Sequence, residues 1–240
     1  MISKTRGIVL KKVKYGDTSA VVTIYTQSFG LQSYLVNGIL GTGKKFKGQM
    51  YEPGSIVEIE AYHSNLKNLQ RIKEISWGKV YTTIFSDVVK YAEAMIIIEL
   101  VSRVLRHEEK NEELFLFIAD SLTGLDESKA ADAANIPLIF GLKLAKYLGF
   151  QIINNYEEKN PFFDVKEGMF VAAFNTQTPE PDKKLNKTLS DLLKNIAGTT
   201  SAQIQLNGVA RKKLLFLIEQ YYRWHIEGFT ELKALRVNIF

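Results

Sequence analysis

Three lysines and a phenylalanine fall within four residues, Lys44-Lys45-Phe46-Lys47, in a segment punctuated by Gly41, Gly43 and Gly48. These types supply the two components of single-strand binding: cations for the phosphate backbone and an aromatic face for a base. The segment also satisfies a phosphate-loop pattern, from Gly38 through Gly43-Lys44. A nucleotide-hydrolysing loop next requires a Ser or Thr hydroxyl for the metal and a helix whose first turn faces the phosphates. Lys45 stands where the hydroxyl belongs, and the continuation to Gly54 contains Gly48 and Pro53 but no apolar helical stripe. The reading is a flexible basic loop between two strands, with no ATP turnover expected.

A second cluster, Lys4, Arg6, Lys11, Lys12 and Lys14, runs into Tyr15. Successive strand residues point to opposite faces, so Lys11 and Lys12 cannot line one groove together. Tyr25 and Tyr34 lie near these cations, but aromatic side chains fill cores more often than they await ligands. Arg71 and Lys73, on a later alternating run, complete the candidate DNA-binding set.

Enzymatic alternatives find little support. The chain has no cysteine, which excludes disulfides, thiolate metal sites and cysteine nucleophiles. His63, His107 and His225 lack ligand spacing, and no serine-hydrolase elbow, zincin motif or dinucleotide fingerprint occurs. No catalytic residue, metal or cofactor is expected. Arg211-Lys212-Lys213 precede an apolar helical pattern; cations oppose the dipole at a helix start, so either the helix begins later or the cluster meets an anion.

The elements that must position these residues divide near residue 80. Residues 1 to 80 read as five short strands: Gly7–Val13, Ala20–Thr26, Leu31–Val36, Ser55–Ala61 and Leu69–Ile75, separated by turn residues such as Gly16-Asp17 and Pro53-Gly54. Five such strands suit a small barrel, the strand count of an oligonucleotide-binding fold. Residues 81 to 240 turn to a helical period. Asp87 can cap a helix to about His107, with Val88, Ala92, Met95, Ile96, Leu100, Val104 and Leu105 as its broad apolar surface. Asn111 can cap a second helix. Ala130 to Leu148 gives a third, in which Pro137 either opens the true first turn or makes a kink. Phe162 to Val171 reads as a hairpin around Lys166-Glu167-Gly168, and Leu185–Ile196 and Val209–Ile226 are further helices. The fold class is α+β, a barrel followed by a mostly helical domain.

Charge follows the same division. Residues 1 to 80 hold 12 Lys and Arg against 5 Asp and Glu, a balance of +7; the remainder holds 19 against 21, a balance of −2. A polyanion partner for the first third is the natural reading, because neutralised phosphates release counterions. An adaptor whose basic barrel meets an acidic protein, and an RNA-binding barrel, are the competing readings. No apolar run reaches the roughly 18 residues of a membrane span, and no signal peptide is read at the N-terminus; a cytoplasmic protein is expected.

Gly7-Ile8-Val9-Leu10, Tyr15-Gly16-Asp17-Thr18-Ser19, Val22-Thr23-Ile24-Tyr25-Thr26, Phe29-Gly30 and Asn37-Gly38 together resemble the opening of the RecO family. Pro53-Gly54-Ser55-Ile56-Val57-Glu58 is similar to that family's next strand. Gly141 to Phe150 and Arg211-Lys212-Lys213-Leu214-Leu215 match more loosely. The resemblance implies an oligonucleotide-binding barrel joined to a helical domain. It further implies binding of single- and double-stranded DNA, strand annealing and help in loading the recombinase RecA. Implied partners are RecR and the acidic, apolar C-terminal tail of single-stranded-DNA-binding protein. Arg103 and Arg106, at the end of the first helix, are the residues expected to meet that tail. Many members carry a cysteine zinc site after the third helix; this chain has an aromatic hairpin, about residues 155–174, in that stretch, so the metal is not expected.

Overall fold

The computed structural model describes residues 2–39, 48–64, 66–106, 110–173, 182–196 and 205–237. All five expected strands form: β1 (Ile2–Tyr15), β2 (Ser19–Thr26), β3 (Gly30–Val36), β4 (Ile56–Tyr62) and β5 (Gln70–Trp77). They close into a barrel in the order β1-β2-β3-β5-β4. β1 starts five residues earlier than the alternation suggested, because its length serves two partners. Its first half pairs with β4, from Ile2↔Tyr62 to Ile8↔Ile56, and its second half with β2, ending at Tyr15↔Ser19. The register slips between Val9 and Lys11, leaving Leu10 unopposed. A bulge there bends the strand and raises its twist, as closing a small barrel demands. The barrel is sealed by a short parallel ladder, Tyr34↔Gln70 and Leu35↔Arg71.

Alternation selects the interior. Val9, Ala20, Val22, Ile24, Tyr34, Val57, Ile59 and Ala61 form its core, joined by Met50 and Tyr51 from the β3–β4 connection. Each Val, Ile and Met among them contributes about 1.5–3 kcal/mol by leaving water. Gly7 is required in β1, since a Cβ there would fall 2.5 Å from Ile24 Cγ2.

The chain forms two compact units, Met1–Glu127 and Ser128–Phe240. The first contains the barrel, α1 (Val88–Val104) and α2 (Glu112–Glu127). Asp87 caps α1 by accepting from the amides of Val89 at 2.8 Å and Lys90 at 3.1 Å; Asn111 caps α2 through the Leu114 amide at 2.9 Å. Much of α1 is buried, including Ile96, Ile97, Leu100 and Val101. Val88, expected on its apolar surface, is instead exposed, because the first turn projects past the packed face. The second helix, α2, meets the barrel at Tyr25, whose hydroxyl donates to the Asn111 carbonyl at 3.1 Å and whose ring lies 6.1 Å from Phe115. Asp126, near the end of α2, is buried and gathers the amides of Thr82, Thr83 and Ile84 at 2.8–3.1 Å. Burial pushes its carboxyl up, but these amides and the Thr82 hydroxyl outweigh that and hold it at about 2.

In the second unit the helix expected over 130–148 is divided into α3 (Ala130–Ala133) and α4 (Ile136–Tyr147), with Pro137 in the first turn of α4, where its missing N–H costs nothing. β6 (Phe162–Asp164) and β7 (Met169–Val171) form the hairpin, and α5 (Lys183–Ile196) and α6 (Gly208–His225) follow. Asn207 caps α6 through the Ala210 amide. Arg211 to Lys213 therefore lie at the helix start after all. Two of the three have local partners: Arg211 donates to Asn135 and to the Leu206 carbonyl, and Lys213 pairs with Asp182 at 3.1 Å. Buried Glu219 of α6 holds Arg236 in a two-pronged pair at 2.8 and 2.9 Å, fastening the C-terminal segment.

Candidate nucleic-acid interface

Residues opposed in a ladder share a face. Lys11↔Thr23↔Ser33 and Val13↔Val21↔Leu35 thus form rows on one side of β1, β2 and β3, with Tyr15↔Ser19 beyond them. Val22, Ile24 and Tyr34 fill the interior, so these rows face outward. The parallel pair Leu35↔Arg71 and the antiparallel pair Tyr62↔Arg71 carry the surface across the seam onto β5 and β4. The result is a neutral strip of Val21, Thr23, Ser33 and Leu35 with Lys11 on one border and Arg71 on the other. Tyr15, 60% exposed, stands at its end.

Arg71 occupies the centre of two concavities. One of about 720 Å³ is lined by Leu35, Tyr62, Lys67, Leu69, Gln70 and Arg71. The other, about 600 Å³, runs along Val36, Asn37, Tyr51 and Lys73 and shares Leu35 and Arg71. The β4–β5 loop is set by Gln70. Its side-chain oxygen accepts from the Ser64 amide, and its amide nitrogen donates to the carbonyls of Ser64 at 2.9 Å and Lys67 at 2.6 Å. That places exposed Lys67 in the same concavity as Arg71. Among the described residues no ion pair involves Lys11, Lys67 or Arg71.

The other basic candidates are placed differently. Lys4 stands opposite Glu60 and Arg6 opposite Glu58 across the β1–β4 ladder. Lys73 pairs with Glu60 at 3.0 Å, and that hydrogen bond pushes its ammonium pKa up. Arg6 also lies over the Phe115 ring, 5.6 Å from its centroid. Lys12 turns to the opposite side from Lys11, as adjacency requires, and pairs with Glu52. Lys14, opposite buried Ala20, emerges at the rim rather than on the face. Tyr25 and Tyr34 are core residues; burial pushes Tyr25 up to about 12 against its bond to the Asn111 carbonyl, and pushes Tyr34 up further. Lys44, Lys45, Phe46 and Lys47 lie outside the described residues, as does His107. Sequence reading missed Lys67, Leu35 and Tyr62, the last 51% exposed. Extending the β4 alternation one residue beyond Ala61 would have put Tyr62 outward beside Glu58 and Glu60.

Comparison with known proteins now bears on this barrel. A family described as "Recombination protein O N terminal" matches residues 1–81, and "Recombination protein O C terminal" matches residues 86–236. The chain belongs to the RecO family. Relatives described as "DNA repair protein RecO" include that of Flavobacterium johnsoniae, 35% identical over 237 residues, covering 98% of this chain and 96% of that protein. That of Flavobacterium psychrophilum is 36% identical with the same coverage, and that of Christiangramia forsetii 32% identical over 99% and 98%. Membership places the chain in DNA repair and recombination, and its closed five-stranded barrel is the oligonucleotide-binding fold of a RecO N-terminal domain.

The zinc site common in RecO proteins does not fit here. The chain has no cysteine, and no cluster of three His, Cys, Asp or Glu occurs among the described residues. The corresponding hairpin is held by rings: Phe163 and Phe170 at 5.4 Å, Phe163 and Tyr221 at 5.8 Å, Tyr156 and Phe170 at 5.3 Å. Of the two arginines expected to meet a partner's tail, Arg103 pairs with Glu99 at 3.0 Å along α1, and Arg106 is exposed just beyond the helix. No described helix is long and apolar enough to cross a membrane.

Proposed function

We propose that this chain is a non-catalytic recombination mediator whose barrel, residues 1–80, takes DNA across the outer face of β1, β2 and β3 and the seam with β5. The carrying observation is the arrangement of Lys11, Lys67 and Arg71, unpaired with carboxylates among the described residues, around a neutral strip that ends in exposed Tyr15. Oligonucleotide-binding barrels use this same strand 2–3 surface with the loops after strands 1 and 4. Tyr15 borders the first loop and Lys67 lies in the second. Lys44, Lys45, Phe46 and Lys47, between β3 and β4 in sequence, supply three further cations and an aromatic ring to the reading.

Membership in the family supports the rest of the reading. The barrel binds single- and double-stranded DNA. The helical domain, residues 81–240, receives RecR and the tail of single-stranded-DNA-binding protein, the latter at Arg103 and Arg106. Together they anneal strands and help load RecA in the cytoplasm. The deciding experiment is a titration of the full chain with a single-stranded DNA oligonucleotide and an RNA of equal sequence over a range of salt. DNA binding should show a slope of log K against log salt near −0.7 for each phosphate contacted. A salt-independent affinity would point to a protein-binding barrel, and a marked preference for the RNA to an RNA-binding one.

A further inference from the structure

We propose that α6 and the β6–β7 turn form a second nucleic-acid contact, a stacking platform for one unpaired base centred on Trp224. The indole is 60% exposed although it lies next to the packed residues Tyr221, Tyr222 and His225 on its own helix. Gln220, Arg223 and Trp224 line a concavity of about 370 Å³, within the range of small-ligand sites. Lys166 stands over the ring, its ammonium 5.6 Å from the centroid.

The arrangement is held in place. The Val165 carbonyl lies 3.2 Å from His225 Nε2, so the hairpin turn is fastened to α6 one residue from Trp224. Gly168 sits against Tyr221, where a Cβ would fall 3.0 Å from the phenol oxygen. The Phe163 ring packs on Tyr221 as well. The hairpin thus presents a lysine beside an exposed indole. Neither Lys166 nor Arg223 takes part in an ion pair among the described residues; the exposed carboxylates nearby are Glu167 and Glu227.

The chemistry favours a base over an acidic peptide. Beside the indole the described lining offers an amide, Gln220, and a guanidinium, Arg223, which a purely apolar side chain would leave unused. A flat ring with a polar edge and a phosphate tether uses all of them: stacking on Trp224, hydrogen bonds to Gln220, which both donates and accepts, and phosphate contacts to Arg223 and Lys166. Cation–π attraction from Lys166 holds the indole ready. The site lies within the second unit alone and does not rest on the barrel reading.

The chain has two tryptophans, Trp77 and Trp224, so Trp77→Phe leaves Trp224 as the sole indole. In full-length protein that also carries Lys11→Ala, Lys67→Ala and Arg71→Ala, a thymidine oligonucleotide should quench Trp224 emission. An abasic strand of equal length should bind more weakly and leave the emission unchanged. Adding Trp224→Ala should weaken oligonucleotide binding about 5- to 150-fold, the range for one stacked base. Should Trp77→Phe melt early, the difference in emission between the parent and Trp224→Phe reports the same quench. The proposal is overturned if the oligonucleotide leaves Trp224 unquenched in both backgrounds. It is equally overturned if a peptide of alternating Asp and Phe quenches the indole and the oligonucleotide does not. Because the readout is the indole itself, a barrel that fails to bind DNA leaves this site standing, and a silent Trp224 leaves the barrel reading standing.

Discussion

Two sides of one barrel carry basic residues in similar number, and they differ in what stands opposite them. On the side built by the first half of β1 with β4 and β5, Lys4, Arg6 and Lys73 stand among Glu58, Glu60 and Glu74, and Lys73 is paired with Glu60. On the side built by the second half of β1 with β2, β3 and the seam, Lys11 and Arg71 stand opposite uncharged ladder partners, Thr23 and Leu35, and Lys67 lies in the adjoining loop. A cation already facing a carboxylate releases few counterions when a phosphate arrives, so net charge overstates what the first side can do. Register, and not composition, sorts the two. On β1 the β4 ladder ends at Ile8 and the β2 ladder begins at Gly7, with the bulge at Leu10 just beyond the overlap.

The largest expected effect comes from stripping each side in turn. Lys11→Ala, Lys67→Ala and Arg71→Ala together should remove up to three phosphate contacts and lower the salt slope by about 2. Lys4→Ala, Arg6→Ala and Lys73→Ala together should leave the slope near its parent value. Fluorescence anisotropy over a salt series reads both. Equal losses from the two triple variants would erase the distinction between the sides. Lys44→Ala, Lys45→Ala and Lys47→Ala set the scale for both, with an expected fall of about 2 in slope.

The comparison also requires that the barrel keep its helices while its surface is altered, and Asp126 tests that frame. Its carboxyl is held at about 2 in the folded chain against 3.8 as a free side chain. A depressed carboxylate stabilises fully above its unfolded pKa, and the contribution is lost as pH falls through the folded one. About 2 kcal/mol should therefore disappear between about pH 4 and pH 2. Thermal melting across that range should show the loss in the parent and not in Asp126→Asn, which should melt lower at neutral pH. Identical acid curves would remove Asp126 as the fastening point.

Much of this was legible in the sequence, and the remainder was hidden for identifiable reasons. Strict alternation between turn residues gave the five strands, and Asp87 and Asn111 announced α1 and α2 because capping is a local, side-chain-to-amide property. Adjacency alone separated Lys11 from Lys12. The pairing of residue 4 with residue 60 is a long-range register that no local pattern encodes, so Lys4, Arg6 and Lys73 looked as available as Lys11. Lys67 lay in a stretch without periodicity, and only the Gln70 hydrogen bonds show where it is held. The start of β1 was hidden by Ser3, Lys4 and Thr5, which alternate poorly but pair fully with β4.

The smallest effect is the sharpest test of why the two sides differ. If carboxylates silence the first side, removing them should wake it. Glu58→Gln and Glu60→Gln together leave Lys4, Arg6 and Lys73 in place and delete the charges opposite them. Each cation that then engages a phosphate adds about 0.7 to the salt slope, and a strand centred on Arg71 reaches Lys73 before it reaches Lys4 or Arg6, so a rise of about 1 is expected. The fold should tolerate the change. The Lys73–Glu60 pair is a surface ion pair, a class that contributes little to stability, and glutamine keeps the side-chain volume. Adding Lys73→Ala to the double variant should return the slope toward its starting value. A slope that rises and stays high without Lys73 would assign the gain to a general increase in positive field. A slope that never rises would mean that DNA does not cross the seam in that direction, confining the track to β1, β2, β3 and Arg71.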